Sequence, residues 1–75
     1  MINNSERRII EYSSKIAHGR FYEITFAKHY DDAGKDKYEI VWIEDGKNTL
    51  VERFDEYAKA KDRWDVILKG FNVVS

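Results

Sequence analysis

The chain lacks cysteine and proline and has only four glycines among its 75 residues. Without cysteine, neither a disulfide nor a thiolate metal site supplements the hydrophobic core. Domains of this length bury only ~60% of the surface of their unfolded chain. Stability must therefore come from packing or from association with another chain. The short, cysteine-free chain makes self-association one hypothesis.

Long apolar runs and an excess of basic residues are also missing. The longest apolar run, residues 40–43, is far shorter than the ~20 residues that span a bilayer, and residues 1–10 lack the apolar segment of a secretory signal. A cytoplasmic setting without membrane contact is the expectation. The net charge of −1 argues against a strongly electrostatic nucleic-acid binder, because such domains usually carry a clear basic excess.

Aromatic side chains are well represented, at 15% of the residues. Large rings bury the most area per residue and therefore compensate for a short chain. The overall content of 43% hydrophobic and 36% charged residues is typical of a folded domain. We predict a single small domain over residues 1–75, in which residues 1–6 are flexible.

Alternating apolar residues predict two strands in the first half of the chain. Residues 20–30, RFYEITFAKHY, have the period of a half-buried strand, with one apolar face made of Tyr22, Ile24 and Phe26. Residues 7–16, RRIIEYSSKI, are rich in β-formers and place Ile10, Tyr12 and Ile16 on one face. A short helix is an open alternative for this first segment.

Residues 37–44, KYEIVWIE, have apolar residues on both faces, which indicates a central strand. Alternation sends Trp42 and Val41 to opposite faces, so Trp42 either packs in the core or points outward to bind a partner. We favour the core, against Trp64 or Tyr57. Register with the preceding strand would then bury six residues together: Tyr22, Ile24, Phe26, Tyr38, Ile40 and Trp42.

The sequence EDGK at residues 44–47 predicts a hairpin, because Asp-Gly suits the type I′ turn. A strand should follow within residues 48–54. The alternative is that Thr49 caps a helix, with Glu52 completing a capping box. We favour a strand first and a helix that starts at about Asp55, which is a good N-cap residue.

Helical periodicity is clear from residue 56 to residue 69. Gly70 fits the C′ position after a helix, and residues 71–75 would then form an edge strand or an apolar tail. Two i,i+4 ion pairs are expected, Asp55 with Lys59 and Asp65 with Lys69. The predicted apolar face consists of Tyr57, Ala58, Trp64, Ile67 and Leu68. The predicted fold is thus an α+β domain, a small antiparallel β-meander of three to four strands with one C-terminal α-helix packed on one face.

No set of residues in the sequence predicts a catalytic or metal site. Ser13, Ser14 and His18 have neither a nucleophile elbow nor an oxyanion turn around them. His18 and His29 lack a third patterned metal ligand. The segment DDAGKDK, residues 31–37, fails the calcium-loop and phosphate-loop spacings and is interpreted as a solvated hairpin loop. We therefore expect no enzyme activity, no metal and no cofactor.

Surface recognition is the remaining class of function. With the helix on the Trp42 side, Val41 and Ile43 would lie on the uncovered face of the sheet, near Phe21, and form a protein interface. We predict a non-enzymatic binding module, regulator-like or inhibitor-like, or one that pairs with itself as a homodimer. Val41→Glu or Ile43→Lys should then abolish association while the monomer stays folded.

The alternative hypothesis is a nucleic-acid binder. The basic residues that would contact the nucleic acid are Arg7, Arg8, Lys15, Arg20 and Lys28. They would need to lie close together in space, and the nearby Glu11 and Glu23 must not neutralise their charge.

The order of segments resembles that of WGR domains: RRIIEYSSKI, GRFYEITF, YEIVWIEDG, ERFDEYAKAKDRW and KGF. The resemblance is one of layout, spans residues 7–71 and implies a small antiparallel sheet with one helix, often used to bind DNA. Trp42 is followed by Ile43 and Glu44, where the family has Gly and Arg. The arginine that would contact DNA is therefore not carried over, and a glutamate in its place would repel phosphate.

Overall fold

The computed structural model describes residues 7–73, so the expected flexibility of residues 1–6 lies outside the described part. Four antiparallel strands form a sheet in sequence order, and one C-terminal helix follows them. The elements are β1 (Arg7–Ala17), β2 (Arg20–Tyr30), β3 (Asp36–Glu44), β4 (Lys47–Phe54) and α1 (Tyr57–Val73). The predicted α+β meander is confirmed, with four strands and β1 as a strand rather than a helix.

Two tight turns connect the outer hairpins. Asp45 and Gly46 both have positive φ, 50° and 82°, as the type I′ turn requires. His18 and Gly19 make the same arrangement between β1 and β2. Because β4 follows the Asp-Gly turn at once, the strand interpretation of residues 48–54 is confirmed, and no helix begins at Thr49.

A β-bulge interrupts the pairing of β1 with β2. The register shifts between Ile9 and Glu11, so one extra residue of β1 faces β2 there. Ile10 consequently packs against the core, whereas Tyr12 and Ile16 lie on the opposite face of the sheet. The predicted common face for these three residues is wrong, because an extra residue breaks strict alternation.

Aromatic rings form the contact between sheet and helix. The ring of Phe26 stacks on Trp64 at a centroid distance of 5.6 Å and on Tyr57 at 5.9 Å. Trp42 faces the helix as predicted, but its ring meets Phe71 edge-on at 5.4 Å rather than Trp64 or Tyr57. The buried residues of the hydrophobic core are Ile24, Phe26, Tyr38, Ile40, Ala60, Trp64, Ile67 and Phe71.

The helix begins and ends differently from the prediction. Ala60 donates the first helical hydrogen bond to the carbonyl of Glu56, while the carboxylate of Asp55 accepts a hydrogen bond from Lys37 at 2.7 Å instead of capping the helix. At the other end α1 continues through Gly70 to Val73. Phe71 is 1% exposed, so its burial keeps the last turn helical despite the glycine.

Charged side chains connect the helix to both edge strands of the sheet. Lys61 contacts Glu11 of β1 and Asp65 of its own helix, each at 3.1 Å. Arg63 donates three hydrogen bonds to the carboxylate of Glu52 in β4, one from Nη2 and two from Nε, which is shared between the two oxygens. Neither i,i+4 pair expected from the sequence is present among residues 7–73: Asp65 pairs with Lys61, Asp55 with Lys37, and Lys59 lies 3.9 Å from Glu56. The apolar face of the helix likewise contains Ala60, whereas Ala58 is exposed.

Gly70→Ala should raise the free energy of unfolding by about 0.5–1 kcal/mol, because alanine is the better helix former and a Cβ at this position meets nothing within 4 Å. Gly46→Ala is the matched control. Its φ of +82° should make the same methyl group destabilising, by roughly 1–2 kcal/mol. Urea denaturation followed by circular dichroism measures both; a loss of stability at Gly70 would contradict its helical conformation.

Candidate functional site

The face of the sheet opposite the helix, called here the open face, has an apolar centre. Cross-strand pairing joins one residue from each strand in a continuous row: Tyr12 pairs with Thr25, Thr25 with Val41, and Val41 with Val51. Paired residues in a sheet point to the same face. All four strands therefore contribute to one surface.

Several large apolar side chains on the open face are accessible to solvent. Ile16 is 77% exposed and Tyr12 52%, and Phe21 pairs with Ile16 next to the first turn. Ile43 is half-buried beside this pair. We define the apolar surface as the side chains of Tyr12, Ile16, Phe21, Ile43 and Val51. The sequence patterns did not predict Tyr12, Ile16 and Val51 as interface residues, although Tyr12 and Ile16 do show the two-residue period of a strand.

The three interface residues predicted from sequence all lie on the open face but differ in access. Phe21 is exposed and Ile43 is half-buried, whereas Val41 is only 5% exposed. Val41 sits on a central strand between other side chains and forms the floor of the surface. Val41→Glu should therefore destabilise the monomer itself, contrary to the prediction from sequence, because the carboxylate would enter a buried position.

Charged residues at the far end of the open face neutralise one another. The carboxylate of Glu39 lies 2.9 Å from the guanidinium of Arg7 and 3.8 Å from that of Arg53. Lys37 pairs with Asp55 at 2.7 Å and with Asp31 at 3.9 Å. The charges that border the apolar surface on this side are thus compensated within the chain.

A hydrogen bond crosses the middle of the open face. The hydroxyl of Tyr12 donates to the carboxylate of Glu23 at 2.5 Å. This bond, with the nearby negative charge, raises the pKa of Tyr12 above its ordinary value. Glu23 therefore has a hydrogen-bonding partner within the surface, but its carboxylate keeps its negative charge because the hydroxyl of Tyr12 is neutral.

The basic residues of the nucleic-acid hypothesis lie in two separate groups. Arg8 pairs directly with Lys28 near the start of β1, while Lys15 and Arg20 lie towards the turn at the other end of the same hairpin. Arg7 belongs to the first group. The five residues thus do not form one continuous basic surface.

Most of these basic residues already have polar partners. Arg20 lies 3.8 Å from the carboxylate of Glu44, and Lys28 lies 3.4 Å from that of Asp36. Lys15 donates a hydrogen bond to the backbone carbonyl of Phe71 at 3.0 Å. The compensating acids are therefore Glu39, Glu44 and Asp36, rather than the Glu11 and Glu23 considered from the sequence.

The acidic loop between β2 and β3 is organised by Asp31. Its carboxylate accepts hydrogen bonds from the backbone N–H groups of Ala33 and Lys35, both at 2.9 Å. The bond from Lys35 is the largest cause of a lowered pKa at Asp31. Gly34, with a φ of 80°, completes the turn. The carboxylate most central to the loop is thus used for its structure.

Within residues 7–73, no group of three or more His, Asp or Glu side chains is arranged to hold a metal ion. The same part of the chain contains no helix with the length and apolar character needed to cross a bilayer. His18 lies in the exposed first turn, whereas His29 lies near the opposite end of β2. These two histidines are therefore not brought together.

Comparison with protein-family models, curated proteins and solved structures found no match to this chain. The resemblance to WGR domains therefore stays a prediction, and the candidate site rests on its own geometry.

The titration of Tyr12 tests the hydrogen bond on the open face. The raised pKa means that the bond stabilises the fold below the ordinary tyrosine value of ~10 and that this contribution is lost as the pH rises through the folded-state pKa. Glu23→Gln should return the pKa of Tyr12 towards ~10. NMR of ¹³Cζ-labelled tyrosine resolves this residue from the other four tyrosines; an unchanged Tyr12 titration in Glu23→Gln would contradict the assignment.

Proposed function

We propose that this chain is a small non-enzymatic binding module of the cytoplasm that acts by protein–protein contact, and that the partner of its open face is a second copy of the chain. The observation that carries the proposal is the apolar surface on the open face, to which all four strands contribute. Its side chains recognise another surface by packing rather than by reaction.

The apolar surface is more than the usual scatter of exposed hydrophobic residues. Single exposed apolar side chains are normal on any protein, and Val66 on the helix is one such residue, at 60% exposure. Tyr12, Ile16 and Phe21 instead lie on one face, above a floor that contains Val41 and Ala27. Contiguous apolar patches on folded proteins are typical of interaction sites.

A second copy suits this face because of its charges. In a two-fold interface each surface meets its own equivalent, so unpaired like charges would repel. Here the face carries charges of both signs: Arg7 and Arg53 share the single carboxylate of Glu39, and Glu23 keeps its negative charge while it accepts a hydrogen bond from Tyr12. A face that carries both signs can pair with its own copy, with the carboxylate of Glu23 opposite a basic side chain of the second copy.

The size of the face supports a weak, reversible dimer. The four strands are ~4.8 Å apart, and each contributes about eight residues with a rise of ~3.3 Å per residue. The area of the face is therefore roughly 500 Å² per copy. The pair would bury roughly 1,000 Å² in total, which is near the lower limit for a specific interface. We therefore expect association at high protein concentration, followed by dissociation on dilution.

Ile16→Glu is the variant that tests this function. Ile16 is the most exposed of the apolar surface residues, so the change should leave the fold intact while placing a carboxylate in the interface. We expect the dimer dissociation constant, from sedimentation equilibrium, to rise at least about tenfold, a change of ~1.4 kcal/mol. Circular dichroism and the unfolding midpoint should stay unchanged.

Val66→Glu is the matched control, because it places the same charge at an exposed β-branched residue on the outer side of the helix. It should dimerise like the unmodified chain. A chain that remains monomeric at millimolar concentration, or equal dimerisation of Ile16→Glu and the unmodified chain, would overturn the proposed pairing. A monomer would leave the open face to a different protein as partner.

A further inference from the structure

We propose that a concave surface at the start of β1 and the end of β2 binds a phosphate group. The side chains that line it, called here the basic pocket, are those of Arg7, Arg8, Ile9, Lys28 and Tyr30. This site is separate from the apolar surface and does not depend on the proposed dimer.

The first observation is a pair of like charges. Arg8 of β1 lies directly opposite Lys28 of β2 in the register of the sheet. Like charges in directly opposed positions of neighbouring strands destabilise a sheet. An anion bound between the two side chains would convert this repulsion into two attractions.

The second observation is the local balance of charge. Arg7 is paired with Glu39, and Lys28 with Asp36. Arg8 forms no ion pair with any carboxylate in residues 7–73, so the pocket retains a net positive charge. Both carboxylate partners are already engaged, so the charge of Arg8 is open to an anion from solution.

The third observation is the combination of donors with apolar walls. Guanidinium groups form forked hydrogen bonds that match the oxygens of phosphate, and lysine adds a compact charge. The Nζ of Lys28 lies 5.5 Å from the centroid of the Tyr30 ring. Tyr30 and Ile9 are both partly exposed and offer apolar contact to the organic group that carries the phosphate.

The other end of the hairpin lacks this combination. Lys15 is directed to the backbone carbonyl of Phe71, and Arg20 lies near the carboxylate of Glu44. Arg20 is therefore the matched control residue, since it is an exposed arginine on the same hairpin outside the basic pocket.

The phosphate group could belong to a free phosphate ester or to a nucleic-acid backbone, and the experiment distinguishes these sources. ¹H–¹⁵N NMR spectra of the Ile16→Glu chain in low-salt buffer are titrated with inorganic phosphate, with phenyl phosphate and with a thymidine oligomer that lacks terminal phosphates. We expect saturable shifts in residues 7–9 and 28–30. Tighter binding of phenyl phosphate assigns a free ester, and tighter binding of the oligomer assigns nucleic acid.

Arg8→Gln should weaken binding of the preferred ligand at least about tenfold, because it removes a charge-assisted, forked hydrogen bond to the phosphate oxygens. Arg20→Gln should leave the affinity unchanged. The absence of saturable shifts, equal affinity in Arg8→Gln, or the same response to chloride at matched ionic strength would overturn the site. Because the titration uses the variant with the altered apolar surface, its result is independent of whether the chain dimerises.

Discussion

The stacking of Phe26 between the sheet and the helix is the contact on which the rest of this fold depends. Its ring contacts Trp64 and Tyr57 from the helix and Tyr38 from the neighbouring strand. A chain without cysteine has no covalent cross-link to hold a helix on a sheet, so the area buried by these rings must supply that stability. The ion pairs of Lys61 and Arg63 lie at the borders of this layer. Water screens them, so they set the position of the helix more than they stabilise it.

Burial of Phe26 determines what the open face contains. Successive strand residues point to opposite faces, so placing Phe26 and Ile40 under the helix directs Thr25, Ala27 and Val41 to the other side. The central strands carry apolar side chains on both faces, and the helix covers only one face of the sheet. The apolar centre of the open face is therefore a direct consequence of the way the core is made, and pairing of two such faces would supply a second layer.

Edge strand β1 carries both proposed surfaces, and the bulge near Ile9 separates them. After the bulge, Tyr12 and Ile16 lie on the open face, with Ser13 and Lys15 on the helix side. Before it, Arg7 and Arg8 lie beside the end of β2, where its side chains Lys28 and Tyr30 complete the basic pocket. An edge strand has no neighbour on one side, so its charged and apolar side chains are accessible there. One strand thus carries the protein-binding surface and the anion site towards opposite ends, and Arg7 borders both.

Local patterns in the sequence were enough to predict the meander, the Asp-Gly turn, the helix and the burial of Trp42. Each depends on neighbours along the chain: two-residue alternation, the turn preference of Gly46 or the helical spacing of Trp64 and Ile67. Other features were decided only by contacts between distant segments. The carboxylate of Asp55 pairs with Lys37 instead of capping the helix. Gly70 is helical because the next residue, Phe71, packs against Trp42, and the bulge in β1 places Ile10 on the core face. Exposure of Ile16 and burial of Val41 likewise depend on which strands lie at the centre of the sheet, and such contacts leave no periodic signal in the residues that make them.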